Sequence, residues 1–366
     1  MTSSPADPID VRANNTKTTP LHDTIVTNNG LIVFGSEAQY QFFTVSDILS
    51  PATVNMTQVA SYQFEPNSIP QALSTNISFV TSKGSTRMYE MTNVFDRGQV
   101  DVNERSKPIQ SKFAKGYTHT SSSRIYNILG FSKSDAKDMW MYVYFKDNSQ
   151  TDQQTAWVKF EFPDNIKHHF FNGKFFYVIT GNGIKSYLTR LPTEAFDGAA
   201  PDPEIMPEFV DYWYYGDVVP SDYPANINTT VPSVFKAQTV TGVLYDSVIK
   251  LPKYYVSKTN QDNIKADTTS SLTIHRYKIN HGAVGAYYAD ILRTGKDDYS
   301  VLYEQPYQDN AIANAPAIAL EQEQTIPIYD RNTNIDFSIR SNFNLPCIIY
   351  SLRWEGDYNN RYYKRV

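Results

Sequence analysis

An all-β chain is predicted, with a propeller-like N-terminal part followed by a β-sandwich-like part, and three observations carry that prediction. Tyr and Phe are abundant, 27 and 20 of 366 residues, while charged residues are only 19%. With frequent Asn, Thr and Ser, that balance favours strands and turns over helices. Short apolar runs alternate with turn residues as hairpins do. Finally, the hairpins recur at a near-constant spacing through the first half of the chain.

The hairpins come in order. "GLIVF" at 30–34 turns through "GSEA" into "QYQFF". "NISFV" at 76–80 turns through "TSKGS" into "TRMYEM", and "RIYNILGF" at 124–131 precedes "MWMYVYF" at 139–145 across a polar run. "KFFYVIT" at 174–180 turns on "GNG" into "IKSYLTRL", Asn-Gly being a favoured two-residue loop. The apolar cores of the leading strands start near Leu31, Ile77, Tyr126 and Phe175, in steps of 46, 49 and 49 residues. A period in the forties built from antiparallel strands is the length of one four-stranded propeller blade, a unit that needs neighbours to bury both its faces. Four units end near residue 191 and make a small ring, so a blade is missing or the chain starts within a propeller. An evenly spaced sandwich is the competing reading. Residues 1–195 are assigned to these blades.

Composition then changes. Glu194, Asp197, Asp202, Glu204, Glu208, Asp211, Asp217 and Asp222 fall in a stretch with no Lys or Arg and with prolines at 201, 203, 207 and 220. Such a stretch cannot form a long helix, so 196–230 reads as an acidic, Pro-rich connector. The cluster "YWYYG" at 212–216 favours a negative wall or rim over a purely solvated loop. From 231 to 366 strands resume. In "SLTIHRYKI" Leu272, Ile274, Arg276 and Lys278 share one parity while Thr273, His275, Tyr277 and Ile279 share the other, as in a two-sheet sandwich.

Chemical motifs are scarce. No phosphate-binding Gly-Lys loop, dinucleotide Gly motif or His-Glu-x-x-His occurs, and no cofactor is expected. Cys347 is the single cysteine, which excludes an internal disulfide and a Cys-based zinc site. His168 and His169 are adjacent and would point to opposite faces of a strand, so their spacing does not make a metal site. A net charge of −5 leaves no global basic surface for gripping nucleic acid. No basic-then-apolar leader follows Met1, and no run of 18 apolar residues could span a membrane. Sequons at Asn55, Asn76 and Asn228 arise readily by chance in an Asn- and Thr-rich chain.

In the C-terminal "RWEGDYNN", Glu355 and Asp357 share a face of an extended strand beside Trp354, the pairing of aromatic ring and carboxylates found in many sugar-cleaving sites. Glycosidase carboxylates normally come from separate elements flanking a cleft, so this pair is expected to cap a strand or face solvent. Trp354 and Tyr358 share the other parity with Gly356 between them, which admits a close backbone approach. They are expected to fasten a domain or a neighbouring subunit, and Trp157 is a further packing candidate. The basic tail with Arg361, Lys364 and Arg365 is expected to dock on an acidic neighbour.

Several stretches carry a family resemblance. "ADPIDVRANNTKTTPLHDTIVTNNGLIVFGSEAQYQF", "LSPATVNMTQVASYQFEPNSIPQALSTNISFVTSKGSTRMYEM", "AWVKFEF" with "GKFFYVI", and the ending "PCIIYSLRWEGDYNNRYYK" occur in the order found in the tail tubular protein B, or tail nozzle, family of short-tailed bacteriophages (podoviruses), which the chain resembles. Residues 195 to 265 resemble it least. The resemblance implies a structural virion protein of the phage tail, made in the host cytoplasm. It implies a homohexamer around a channel for genome ejection, joined to a ring of tail tubular protein A (the tail adaptor) and to a tail fibre. Phage DNA would pass without sequence-specific binding, and an N-terminal half of the nozzle, not found here, would be a further partner. The acidic run would face that channel. The rival expectation is a carbohydrate-active or carbohydrate-binding β protein, a capsule depolymerase or receptor-binding module.

Overall fold

Strand-forming residues punctuated by Gly, Asn and Ser leave little room for helix, and the computed structural model is all-β. It describes residues 8–11, 19–27, 30–44, 49–73, 76–92, 100–145, 154–192, 210–216, 228–232, 238–260, 263–268, 270–304, 308–309, 316–317 and 322–359. Among these, the only helical turns are 3-10 segments at Lys107–Ile109 and Asn332–Asn334, and no helix is long and apolar enough to cross a membrane. The chain divides into two units, Met1–Ala195 and Phe196–Val366.

Unit 1 is a series of antiparallel meanders, each made of strands consecutive in sequence. The first sheet holds β1 (Leu21–Thr27), β2 (Gly30–Gly35), β3 (Gln39–Thr44) and β4 (Val54–Ala60). The second holds β5 (Gln71–Ala72), β6 (Ile77–Thr81), β7 (Arg87–Thr92) and β8 (Asp101–Glu104). The third holds β9 (Tyr117–Ser123), β10 (Ile128–Lys133), β11 (Asp138–Phe145) and β12 (Gln154–Glu161), and the fourth β13 (Asn165–Asn172), β14 (Phe175–Gly181) and β15 (Ser186–Pro192). The apolar runs seen in the sequence are therefore the second strands of their sheets. Those strands begin at Gly30, Ile77, Ile128 and Phe175, steps of 47, 51 and 47 residues.

One boundary differs from expectation. Residues 124–127 form a turn, and Asn127 takes φ +54°, the left-handed region that Asn tolerates better than most residues. Tyr126 therefore belongs to the β9–β10 turn. At the β14–β15 turn the central pair is Gly183–Ile184: Asn182 N–H donates to the Lys185 carbonyl, its Oδ1 accepts from the N–H groups of Ile184 and Lys185, and Gly183 supplies φ +91°.

Alternation along each strand sends side chains to two different seams. Ile32 and Phe34 of the first sheet meet Ile77, Phe79 and Met91 of the second. The other face of the second, with Val80 and Met88, packs on Leu129, Phe131, Trp140, Tyr142 and Tyr144 of the third. Met139 and Met141 turn the other way and meet Ile166, Phe176 and Val178 of the fourth. The second and third sheets are thus buried on both faces, each large side chain contributing about 1.5–3 kcal/mol by leaving water.

Unit 2 is built differently. β16 (Asp211–Tyr215), β17 (Thr229–Pro232) and β18 (Thr239–Val243) form one small sheet, ordered β16-β18-β17. Part of the acidic stretch is therefore strand. Next come β19 (Ser247–Lys250) and the pair β20 (Ser257–Asn260) and β21 (Asn263–Ala266), followed by β22 (Ser271–Val284), β23 (Ala286–Arg293) and β24 (Tyr299–Glu304). The pair β25 (Gln308–Asp309) and β26 (Pro316–Ala317) precedes β27 (Gln322–Arg331), β28 (Ile335–Ser341) and β29 (Cys347–Asn359). Sheets β19-β28-β23-β24 and β27-β22-β29 share one core, in which Ile274, Tyr277 and Ile279 of β22 face Tyr287, Ala289 and Ile291 of β23 and Phe337 of β28.

β22 does not keep a single parity. Leu272 and Ile274 point inward, the register shifts between Ile274 and Arg276, and Tyr277 and Ile279 then point inward. A bulge at His275 reverses the alternation. It keeps all four apolar residues in the core and sends Arg276 and Lys278 outward, whereas unbroken alternation would place those cations beside Leu272 and Ile274.

Candidate functional site

The C-terminal stretch lies on β29, which pairs along β22. Cross-strand partners set its two faces: Trp354 lies opposite Tyr277, Gly356 opposite Ile274 and Tyr358 opposite Leu272. Trp354 packs against the unit 2 core, its ring 6.4 Å from that of Tyr254. A Cβ at Gly356 would stand 2.1 Å from the Thr273 carbonyl oxygen, so only glycine fits where β22 bulges toward β29. The Tyr358 hydroxyl donates to Asp267 Oδ2 at 2.7 Å. All of these contacts are made within the unit that holds β29.

The other parity carries charge. Glu355 Oε1 is 2.5 Å from Lys278 Nζ and its Oε2 2.9 Å from Arg276 Nε. Asp357 lies 3.2 Å from His275 Nε2, whose ring stacks on Tyr329 at 5.5 Å. Arg353 pairs with Glu323 of β27. The hydrogen bond from Lys278, reinforced by the charges of Lys278, Arg276 and Arg353, holds the Glu355 carboxyl below its ordinary value. A proton-donating catalytic carboxyl needs the opposite shift. Both acids act as cross-strand partners on an exposed face.

Trp157, on β12, sits elsewhere. Its ring lies 4.9 Å from Tyr142 and 5.5 Å from Phe113, and Nε1–H donates to the Arg105 carbonyl at 3.1 Å, joining the second and third sheets of unit 1. Of the acidic run only Asp211 is described, at the start of β16; the residue as a whole is exposed, yet its carboxyl is crowded enough by protein atoms to be pushed up to about 6. Its carbonyl oxygen would be 2.8 Å from a Cβ at Gly242, which fixes that glycine. Glu194, Asp197, Asp202, Glu204, Glu208, Asp217 and Asp222 lie outside the described residues, as do Arg361, Lys364 and Arg365. The Cys347 thiol is pushed up to about 11 by burial, which leaves it an unreactive thiol.

One cluster was not legible as such. His119 of β9 meets both His168 and His169 of β13, tilted against the first and edge-on to the second, with ring centroids 4.5 and 4.4 Å apart. Among the described residues no group of His, Cys, Asp or Glu is arranged to hold a metal ion. The signal that would have found the cluster is the repeat itself. His119 and His169 are 50 residues apart, and other contacts between neighbouring sheets fall at the same interval, such as Thr120 Oγ1 to the Ile69 carbonyl at 51.

A sequence-family model described as Bacteriophage nozzle protein matches residues 1–205 and 218–365. Only 206–217 of the stretch that resembles the family least falls outside it. No curated protein matches the chain.

Proposed function

Since the chain belongs to the bacteriophage nozzle protein family and is thereby a component of the virion tail, we propose that it forms the wall of the tail nozzle, a homohexameric ring around the channel through which the genome leaves. The observation that carries this reading is the family match over nearly the whole chain. The consecutive meanders of unit 1 support it. The first strands of the second, third and fourth sheets run side by side, as Ser122 Oγ donating to Gln71 Oε1 at 2.8 Å and the His119–His169 contact indicate, which is how propeller blades stack around an axis. Unit 2, with two sheets on one core, is the β-sandwich-like part. On this reading the ring of tail tubular protein A and a tail fibre are its neighbours, and the protein performs no catalysis.

The carbohydrate-cleaving alternative loses its main feature, because Glu355 and Asp357 are tied to cations or His275 on β22. DNA would pass by sliding. Phosphate neutralisation by Lys and Arg is what makes proteins cling, so an acidic run lining the bore or its exit rim favours passage. Mass measurement and negative-stain imaging of the purified protein are expected to show a hexameric ring with a bore. A stable monomer at high concentration overturns the reading. Replacing the acids of the 194–222 run by Lys is expected to create salt-sensitive DNA retention; unchanged DNA behaviour would remove the run from the channel.

A further inference from the structure

His169 is 1% exposed and wedged into the seam between the third and fourth sheets of unit 1. Its Nδ1 lies 2.6 Å from Ser121 Oγ, while Nε2 is buried without a partner. The neutral tautomer with Nδ1–H donating to Ser121 fits, leaving Nε2 as a bare lone pair. A proton added there would create an N–H with nothing to accept it.

The surroundings offer no compensation. From β9 come His119, whose Nε2 contacts the His169 backbone at 3.3 Å, and Tyr117, whose hydroxyl donates to Asp138 of β11. β13 adds His168, and also Lys167, which pairs with exposed Asp135. β10 and β11 bring Gly130, Met139 and Met141 to the ring, and β14 brings Phe176 at 5.7 Å with Val178 in register. A Cβ at Gly130 would stand 3.3 Å from His169 Cε1, so the ring has little space to turn. Among the described residues no carboxylate is within ion-pair distance of any of the three histidines, and a proton on buried His169 would stand about 4.4 Å from the half-buried His119 ring.

We propose that this seam is an acid-labile latch, in which protonation of His169, packed against His119 and His168, releases β13 from β9 while the first and second sheets stay folded. Burial, with the neighbouring His119 and His168, holds the His169 imidazole down to about 3. A group depressed in the closed state binds its proton more readily once exposed. Closure is therefore fully stable above the ordinary imidazole value near 6.5 and weakens as the pH falls toward about 3.

Hydrogen exchange of the full chain tests this, with rates corrected for the intrinsic effect of pH. Between pH 7 and pH 5, protection of β13 amides is expected to fall roughly 25-fold relative to β6 amides in the second sheet, the linkage expected for an imidazole held to about 3. His169→Gln, which keeps a polar partner for Ser121 but does not titrate, is expected to remove most of that fall. If that variant does not fold, imidazole NMR titration of the wild-type chain replaces it, with His169 expected neutral at pH 5. Equal loss of protection in β13 and β6, an undiminished fall in His169→Gln, or His169 titrating near its ordinary value in the folded chain overturns the latch.

Discussion

The third sheet of unit 1 and the β27-β22-β29 sheet of unit 2 treat their second face in opposite ways. In the third sheet both faces are buried: Phe131, Trp140 and Tyr142 meet the second sheet while Met139 and Met141 meet the fourth. In unit 2, β22 and β29 bury Tyr277, Ile279 and Trp354 on one side and expose Lys278, Arg276, Glu355 and Arg353 on the other. The difference explains their sequences. A strand covered on both sides needs no polar alternation and reads as a continuous apolar run, as "MWMYVYF" does, whereas a half-covered strand must alternate. It also assigns tolerance: substitutions at Met139, Trp140, Met141 or Tyr142 of β11 all disturb a core, whereas on β29 only one parity does.

Hydrogen exchange in urea follows each unit separately, through the amides around Trp140 and Trp157 in unit 1 and around Trp354 in unit 2. The largest effect is expected from Tyr142→Ala, which leaves a cavity at a fully buried position on the third sheet and costs about 3–5 kcal/mol, read as early urea unfolding of unit 1. Equal loss in unit 2 would show that the two units do not unfold independently. Gly356→Ala should come next, because its Cβ meets the Thr273 carbonyl, and the backbone shift it forces costs about 1–3 kcal/mol in unit 2. Tyr358→Phe removes one hydrogen bond to Asp267 and should cost about 1 kcal/mol. Glu355→Gln is expected to move the urea midpoint of unit 2 least, and less still at high salt, since its pairs are exposed and screened. A Glu355→Gln effect exceeding that of Gly356→Ala would break the contrast between the two faces.

Much of this was legible. The hairpins built on Leu31, Ile77 and Phe175 follow from turn residues and apolar runs, which are local signals. Tyr126 was misplaced because an aromatic residue in a strand-like run is indistinguishable by propensity from one in a turn, and Asn127 alone marks the left-handed bend. The parity of β22 was misread for a related reason: a bulge leaves no residue signature, and here it forms because burying Arg276 and Lys278 would cost more than one disrupted ladder position. Gly356 was recognised as a point of close approach from its place between Trp354 and Tyr358, but what approaches it, the Thr273 carbonyl, depends on strand pairing.

By itself the sequence determined the strand-rich class, the near-fifty-residue repeat, and the absence of the common nucleotide and metalloprotease motifs, because these depend on composition, period and local spacing. Only the tertiary structure decided which residues one repeat apart touch. His119 meets His169 across 50 residues and Arg124 meets the Ala72 carbonyl across 52, contacts that exist because each sheet must cover the apolar face of its predecessor. It also decided that Glu355 and Asp357 serve β22, since strand pairing selects the partners of an outward side chain and pairing is a long-range property.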